Sequence, residues 1–249
     1  DCVIAGSNFI FKHISENYSE YVPKMKKFLV IFRGINTEYY DPNNINKKDR
    51  SKFFSKLNIE PGKKIILLPG RLTSWKGQEL LIEALNILKT NFGYKNFVAI
   101  ILGSDQGRDT YKKKLVRLVE QHRLNNDVIF LEHANSMPIA YSIANVVVSA
   151  SIEPEAFGRV SVEAQSMKKP IIASDIGGSR ETIINNRTGL LFKSADPKSL
   201  SEKIDNIFRS DDTTLNAMGN SGRKNVEQKF NVEKMCFSTY SEYKKLINA

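Results

Sequence analysis

From Lys64 to Phe192 the sequence alternates short apolar runs with longer amphipathic stretches, and this rhythm constrains the fold more than any other feature. Parallel strands need a crossover of a dozen or more residues, and a helix laid on the sheet is the usual one. Strands are predicted at residues 65–69, 97–103, 128–131, 145–149, 170–174 and 189–192, rich in Val and Ile and mostly closed by Gly, Pro, Ser or Asp. Between the first two, Leu80, Leu81, Ala84, Leu85 and Leu88 recur at helical spacing and form one apolar stripe. Further helices are predicted at 110–122, 158–167, 197–208, 213–228 and 232–247, with Asp196 as a cap and Pro197 in the first turn of the third. The expected fold is α/β, a Rossmann-like six-stranded parallel sheet with helices on both faces.

The first 60 or so residues stand outside that rhythm and read as a connector. Residues 2–6 and 8–18 read as a strand and a helix, 28–32 as another strand, and 41–51 as a polar loop rich in Asn and Lys.

Composition narrows the function classes. Of 249 residues, 41% are hydrophobic and 26% charged, which is the balance of a folded globular chain. The longest apolar runs, 65–68 and 98–102 among them, fall far short of the roughly 20 residues of a membrane span. Cys2 and Cys236 lie at opposite ends with no partner spacing, which points to a reducing compartment and makes the cytoplasm the expected location. His13, His122 and His133 sit at no metal-ligand spacing, so no metal site is expected. The net charge of +10 fits a phosphorylated small molecule, an anionic membrane surface or nucleic acid, and equally a solvated basic face. Nucleic acid is the least supported, because the basic residues are scattered and the aromatics show no surface-stacking pattern.

Chemistry is therefore sought in the loops at the strand ends, where open α/β sheets bind ligands. In the first, Pro69-Gly70-Arg71-Leu72-Thr73-Ser74-Trp75-Lys76-Gly77, a glycine permits a tight turn, Arg71 offers a planar fork and Lys76 a point charge. That set suits a diphosphate, and it equally describes a basic loop that caps a helix. In the second, Glu153 to Ala164, Glu155 and Glu163 stand 8 residues apart. With a helix starting near Gly158, Val160, Ala164 and Met167 turn to the core, Arg159 and Glu163 share another face, and Glu155 stays in the loop. Such carboxylates can accept hydrogen bonds from vicinal sugar hydroxyls, while amides around Phe157, Gly158 and Arg159 face an anion. The plainer alternative is an Arg159–Glu163 helix pair with Glu155 in solvent. In the third, Asp175-Ile176-Gly177-Gly178-Ser179-Arg180-Glu181-Thr182, paired glycines allow close backbone approach, as any βα turn also would.

Taken together, Gly-Arg-Leu-x3-Lys-Gly, Glu-x7-Glu, Gly-Gly-x2-Glu and Gly189-Leu190-Leu191-Phe192 resemble, in order and spacing, the donor-binding domain of retaining family 4 (group 1) glycosyltransferases of the GT-B fold. The resemblance covers nearly the whole chain. It implies that Arg71 and Lys76 hold the pyrophosphate of a nucleoside-diphosphate sugar and Glu163 the ribose. Glu155, with the Phe157–Arg159 backbone, would then meet the transferred sugar and the distal phosphate. Catalytic roles fall to Arg71, Lys76 and Glu155, donor binding to Gly70, Phe157, Gly158, Arg159 and Glu163, and the nucleobase to the vicinity of Glu132 to Met137. The nucleotide sugar is a substrate, and no cofactor is implied. Phe32-Arg33-Gly34-Ile35-Asn36 looks like the family's interdomain segment. On that basis residues 1–36 end a preceding acceptor-binding domain, 37–230 form the donor domain and 231–249 a C-terminal helix. Ala156 and Arg180 stand where many members have Pro. The implied activity is metal-independent transfer of the sugar to an envelope glycan or glycolipid, as in lipopolysaccharide assembly, with peripheral contact to an anionic inner membrane face. A non-catalytic nucleotide-sugar module, an epimerase or a phosphorylase are the competing readings on the same architecture.

Overall fold

The structure is a computed structural model that describes residues 2–24, 27–107 and 109–248. Parts of the expected segments 1–36 and 231–249 therefore lie outside the described residues. Its centre is a six-stranded, all-parallel sheet of β3 (Lys64–Pro69), β4 (Phe97–Leu102), β5 (Val128–Leu131), β6 (Val146–Ser149), β7 (Ile171–Ser174) and β8 (Leu190–Phe192). A separate two-stranded parallel sheet pairs β1 (Cys2–Ala5) with β2 (Lys27–Val30). The six predicted strands all form, each within a residue of its expected ends at either side.

The strands pair in the order β5-β4-β3-β6-β7-β8. The chain thus builds outward in one direction from β3, then returns to pair β6 on the other side of β3. That reversal leaves a crevice at the carboxyl ends of β3 and β6, the topological switch point at which doubly wound sheets take ligands.

Side chains leave each strand alternately, and the core splits accordingly. Ile66 and Leu68 of β3, with Phe97, Ala99 and Ile101 of β4, face helices α3 (Gln78–Thr90), α4 (Asp109–Gln121) and α8 (Pro197–Arg209). Ile65 and Leu67, with Val98, Ile100 and Leu102, face α5 (Met137–Ile143) and α6 (Arg159–Ser166), with Val226 of α9 (Asp212–Lys229) in the same cluster. The stripe read from sequence on α3 is borne out, with Leu81, Ala84, Leu85 and Leu88 fully buried. Asp196 caps α8 by accepting from the Ser199 amide at 3.0 Å, and Pro197 opens it.

Residues 41–51 depart from expectation. They form a 3-10 turn at Pro42–Asn44 and enter helix α2 (Lys47–Ser55) rather than a polar loop. Asn46 caps that helix through its side-chain oxygen, and Phe53 and Phe54 pack against the core. Only those two aromatics turn inward, so the surrounding Lys and Asn hid the element.

Helix α1 (Asn8–Asn17) lies against the small sheet, with Phe11 stacked on Phe28 at 4.2 Å. The last helix, α10 (Val232–Ile247), reaches the same sheet through an ion pair between Lys27 and Glu242. Between β2 and α10 lies a groove of about 540 Å³ lined by Leu29, Phe32, Met235 and Phe237. Phe237 and Ile247 of α10 are 73% and 82% exposed, among the exposed Glu233, Lys234, Lys244 and Lys245. The two ends of the chain meet the main body where Gly34 crosses Asn231, and Ile35 exchanges backbone hydrogen bonds with Phe230 and Val232 at 2.9 Å each.

Candidate functional site

The loop after β3 and the loop after β6 leave neighbouring strands at the switch point, so residues distant in sequence meet there. Leu72 donates to Ser104 at 3.0 Å, and the backbone beside Gly70 crosses Gly103 so closely that an added Cβ on Gly103 would lie 2.0 Å from the Gly70 carbonyl. Gly77 takes a left-handed conformation, φ 72°, with Ala150 O 1.9 Å from where its Cβ would stand. The Ile152 amide donates to the Trp75 carbonyl at 2.8 Å, and the Gly178 amide donates to the Glu155 carbonyl at 2.8 Å. All three predicted loops are therefore braced against each other by backbone contacts, a preorganised cradle rather than three independent turns.

Within it, the Lys76 ammonium lies 2.8 Å from Glu155 Oε1, both side chains only 14% exposed. Ser151 donates its hydroxyl to the same carboxylate oxygen. Lys76 also sits 4.4 Å above the Trp75 ring, an arrangement that favours a cation. The expected alternative of a solvated Glu155 is thus corrected, because burial beside Lys76 and Ser151 holds it in the cradle. Arg71 is exposed and forms no ion pair among the described residues, while its carbonyl is held by the Gln78 side-chain amide at 2.8 Å. Gln78 is itself fully buried and receives a hydrogen bond from Tyr111 at 3.1 Å.

Helix α6 carries Glu163 inward. Ala164 and Met167 are buried as expected, Val160 is half-buried and packed against the core, and Val162 is fully buried. Glu163 is only 7% exposed and accepts from the Tyr141 hydroxyl at 2.8 Å through Oε2 and from Arg159 Nε at 3.1 Å through Oε1. The helix pair with Arg159 therefore exists, but the Arg159 side chain is 69% exposed, and such a pair contributes little. The stronger partner is Tyr141. Complete burial, and then the negative charge of Glu163, push the Tyr141 hydroxyl far up, so it stays a donor. Tyr40, also buried beside Glu163, is pushed up for the same two reasons in the same order.

Phe157 turns its ring into the core, 5.5 Å from Phe230, so only its backbone is available to a ligand. Gly158 caps α6 and accepts from the Ser161 amide at 3.1 Å, no side chain caps the Arg159 and Val160 amides, and the buried Ser161 hydroxyl has no partner among the described residues. These donors suit an anion. Arg180 is held away on Asp175 at 2.8 Å. Residues 132–137 lead from β5 to α5, with Glu132 paired to Lys112 at 3.0 Å. Gly70, Lys76 and Glu155 are thus brought together, Arg71 follows Gly70 in the same loop with its side chain exposed, and Gly158, Arg159 and Glu163 belong to the adjoining helix. Sequence reading missed Ser151, Gln78, Gly103 and Tyr141. Of these only Gly103, at a strand's carboxyl end, carried a local signal.

This sheet order and these three loops define one half of a GT-B glycosyltransferase. The family model described as glycosyl transferases group 1 matches residues 49–225, and the chain belongs to that family. A glycosyltransferase from Rickettsia africae superposes with a TM-score of 0.91 over 99% of this chain and 64% of its own, at 33% identity. CapM of Staphylococcus aureus, a capsular polysaccharide biosynthesis glycosyltransferase, is 30% identical over 185 residues, which is 74% of this chain and 46% of CapM. HepE of Anabaena, solved with UDP and glucose, shares the fold at a TM-score of 0.86 and 24% identity over 98% of this chain and 63% of its own. The chain spans about half the length of the first curated relatives it matches, 46% and 54%. No helix among the described residues is long and apolar enough to cross a membrane.

Proposed function

We propose that this chain is the donor-binding part of a retaining glycosyltransferase that moves a sugar from a nucleoside-diphosphate sugar to an envelope glycan or glycolipid without a metal ion. The observation that carries the reading is the Lys76–Glu155 pair at the switch point, with Arg71 exposed in the same loop as Lys76. In transfer, the bond between the anomeric carbon and the distal phosphate oxygen breaks while the acceptor hydroxyl oxygen bonds the same carbon and its proton passes to the departing diphosphate. The leaving diphosphate gathers charge as it departs. Arg71, Lys76 and the α6 amides supply countercharge where that charge grows, the task a divalent ion performs elsewhere. Glu155 accepts from hydroxyls of the moving sugar and Glu163 from those of the ribose.

The envelope acceptor rests on the kind of work CapM is named for, and the nucleotide donor on the UDP and glucose of HepE. The +10 net charge suits peripheral contact with an anionic inner membrane face from the cytoplasm. Calorimetric titration with UDP-, GDP- and ADP-sugars in EDTA tests the donor half. Binding of one class supports the reading, whereas binding only after magnesium or manganese is added sinks its metal independence. A labelled-donor assay on a form extended N-terminally, with lipid-linked and oligosaccharide acceptors, tests the transfer. Retention of anomeric configuration in the product separates it from inversion, and epimerised or phosphorolysed donor would move the chain to a rival class.

A further inference from the structure

Helix α1 opens on Ser7 and has no acidic residue in its first turn, the place where a carboxylate is favourable. The fold delivers one from 173 residues further along the chain. Glu181 Oε2 accepts from the Asn8 amide at 2.9 Å and from the Asn8 side chain at 2.7 Å, and Oε1 accepts from the Phe9 amide at 2.6 Å. Beside it the fully buried Ser7 donates its hydroxyl to the Ala156 carbonyl.

Both contacts land on the candidate site. Ala156 stands between Glu155 and Phe157 in the chain. The Glu181 amide donates to the Gly178 carbonyl at 3.0 Å, and the Gly178 amide donates to the Glu155 carbonyl at 2.8 Å. The links close into a ring that runs from Ser7 to Ala156, Glu155, Gly178, Glu181, Asn8 and back to Ser7. Glu181 thus sits one turn from Gly178, whose amide holds the Glu155 carbonyl, while its carboxylate holds the start of α1.

We infer that Glu181 is a positioning residue: by holding residues 7–9 it fixes the Glu155–Phe157 loop and with it the sugar end of the donor site. The inference rests on the donor reading above. Glu181 touches no ligand in this scheme. Its effect passes through the Gly178 turn, so it should appear in how well the sugar is held and not in how the nucleoside is held. Residues 2–17, which lie outside the main sheet, thereby contribute to donor geometry without contacting donor.

The test uses Glu181→Gln, which keeps one acceptor oxygen, and Glu181→Ala, which keeps none. Affinities are measured for a nucleoside monophosphate, the matching diphosphate and the matching diphosphate sugar, together with melting temperature and amide exchange by mass spectrometry. The expected result is that the gain in affinity contributed by the sugar falls about tenfold in Glu181→Ala and less in Glu181→Gln, as for loss of charge-assisted hydrogen bonds, while monophosphate affinity holds. Exchange should quicken at residues 8–9 and at 155–158 together. Equal loss for all three ligands with a lower melting temperature would reduce Glu181 to a structural cap and overturn the inference, as would unchanged exchange at 155–158. If the unsubstituted protein bound no nucleotide sugar, the donor reading would fail by itself, and coupled exchange in the ligand-free protein would still decide whether Glu181 fixes the loop.

Discussion

Lys76 Nζ lies 2.8 Å from Glu155 Oε1, so the two charges proposed for adjoining groups of one ligand, the diphosphate and the sugar, neutralise each other. A bound diphosphate must compete with Glu155 for Lys76, and a bound sugar must compete with Lys76 and Ser151 for Glu155.

Glu155→Gln should consequently tighten binding of a nucleoside diphosphate by about threefold to tenfold, because Lys76 is freed, while erasing much of what the sugar adds. Lys76→Ala should cost on the order of 2 kcal/mol of diphosphate affinity and leave free nucleoside binding unchanged. Titration calorimetry on both variants decides it. Equal losses for nucleoside and diphosphate in Lys76→Ala would make the lysine a structural element.

Glu163→Gln should weaken ribose-bearing ligands by about 1–2 kcal/mol more than inorganic pyrophosphate, because an amide offers one acceptor oxygen where the carboxylate offers two. The Tyr141 hydroxyl, which donates to Oε2 at 2.8 Å, keeps that side of the group in place. Binding is compared with melting temperature, and a lower melting point without ligand selectivity would assign Glu163 to its pairing with Tyr141 and Arg159 alone.

Gly103→Ala should loosen the diphosphate loop from a distance. Its Cβ would fall 2.0 Å from the Gly70 carbonyl, so the backbone at Gly70 and Arg71 must shift. The expected outcome is destabilisation of about 1–3 kcal/mol in urea unfolding, with diphosphate affinity lost more than nucleoside affinity. A fully stable variant with normal binding would contradict the tight crossing.

Lys169 gives a pH signature unrelated to the site. Burial, and then the charge of Arg50, lower its ammonium to about 8 from 10.5. Between those values the unfolded chain binds more protons than the folded one, so stability from this group rises with pH across that window and its cost is fully present below pH 8. Allowing for partial solvent contact, the cost is about 2 kcal/mol. Against Lys169→Met, the protein should look relatively less stable at pH 7 than at pH 10. A difference independent of pH would show that the ammonium titrates normally when folded.

The sheet was legible because its strands are buried on both faces, which leaves unbroken runs such as Ile65-Ile66-Leu67-Leu68. Helix α2 was not, since its inward Phe53 and Phe54 are outnumbered by solvated Lys and Asp and its start depends on the Asn46 cap. Arg71, Lys76, Glu155 and Glu163 stood out as candidates in the strand-end loops, yet the Lys76–Glu155 pair did not, because it depends on β3 and β6 being neighbours. Gln78 and Tyr141 looked like ordinary helix residues. Their importance comes from partners supplied by other elements, the Arg71 carbonyl and the Glu163 carboxylate.

The link between Lys27 and Glu242, and the crossing of Ile35 with Phe230 and Val232, set an order of assembly. The Lys27–Glu242 contact that orders β2 against α10 spans 215 residues, whereas most strand pairs of the large sheet, β3–β4, β4–β5, β6–β7 and β7–β8, join successive strands, β3–β6 being the one longer-range pairing. Long-range closure is slow, so the large sheet can condense while residues 27–35 still wait for residues 230–242 to be synthesised. On a ribosome the segment made early finds its partner helix only when the last of these residues emerges, and a stop codon before Val232 would leave a complete sheet with an unfinished flank.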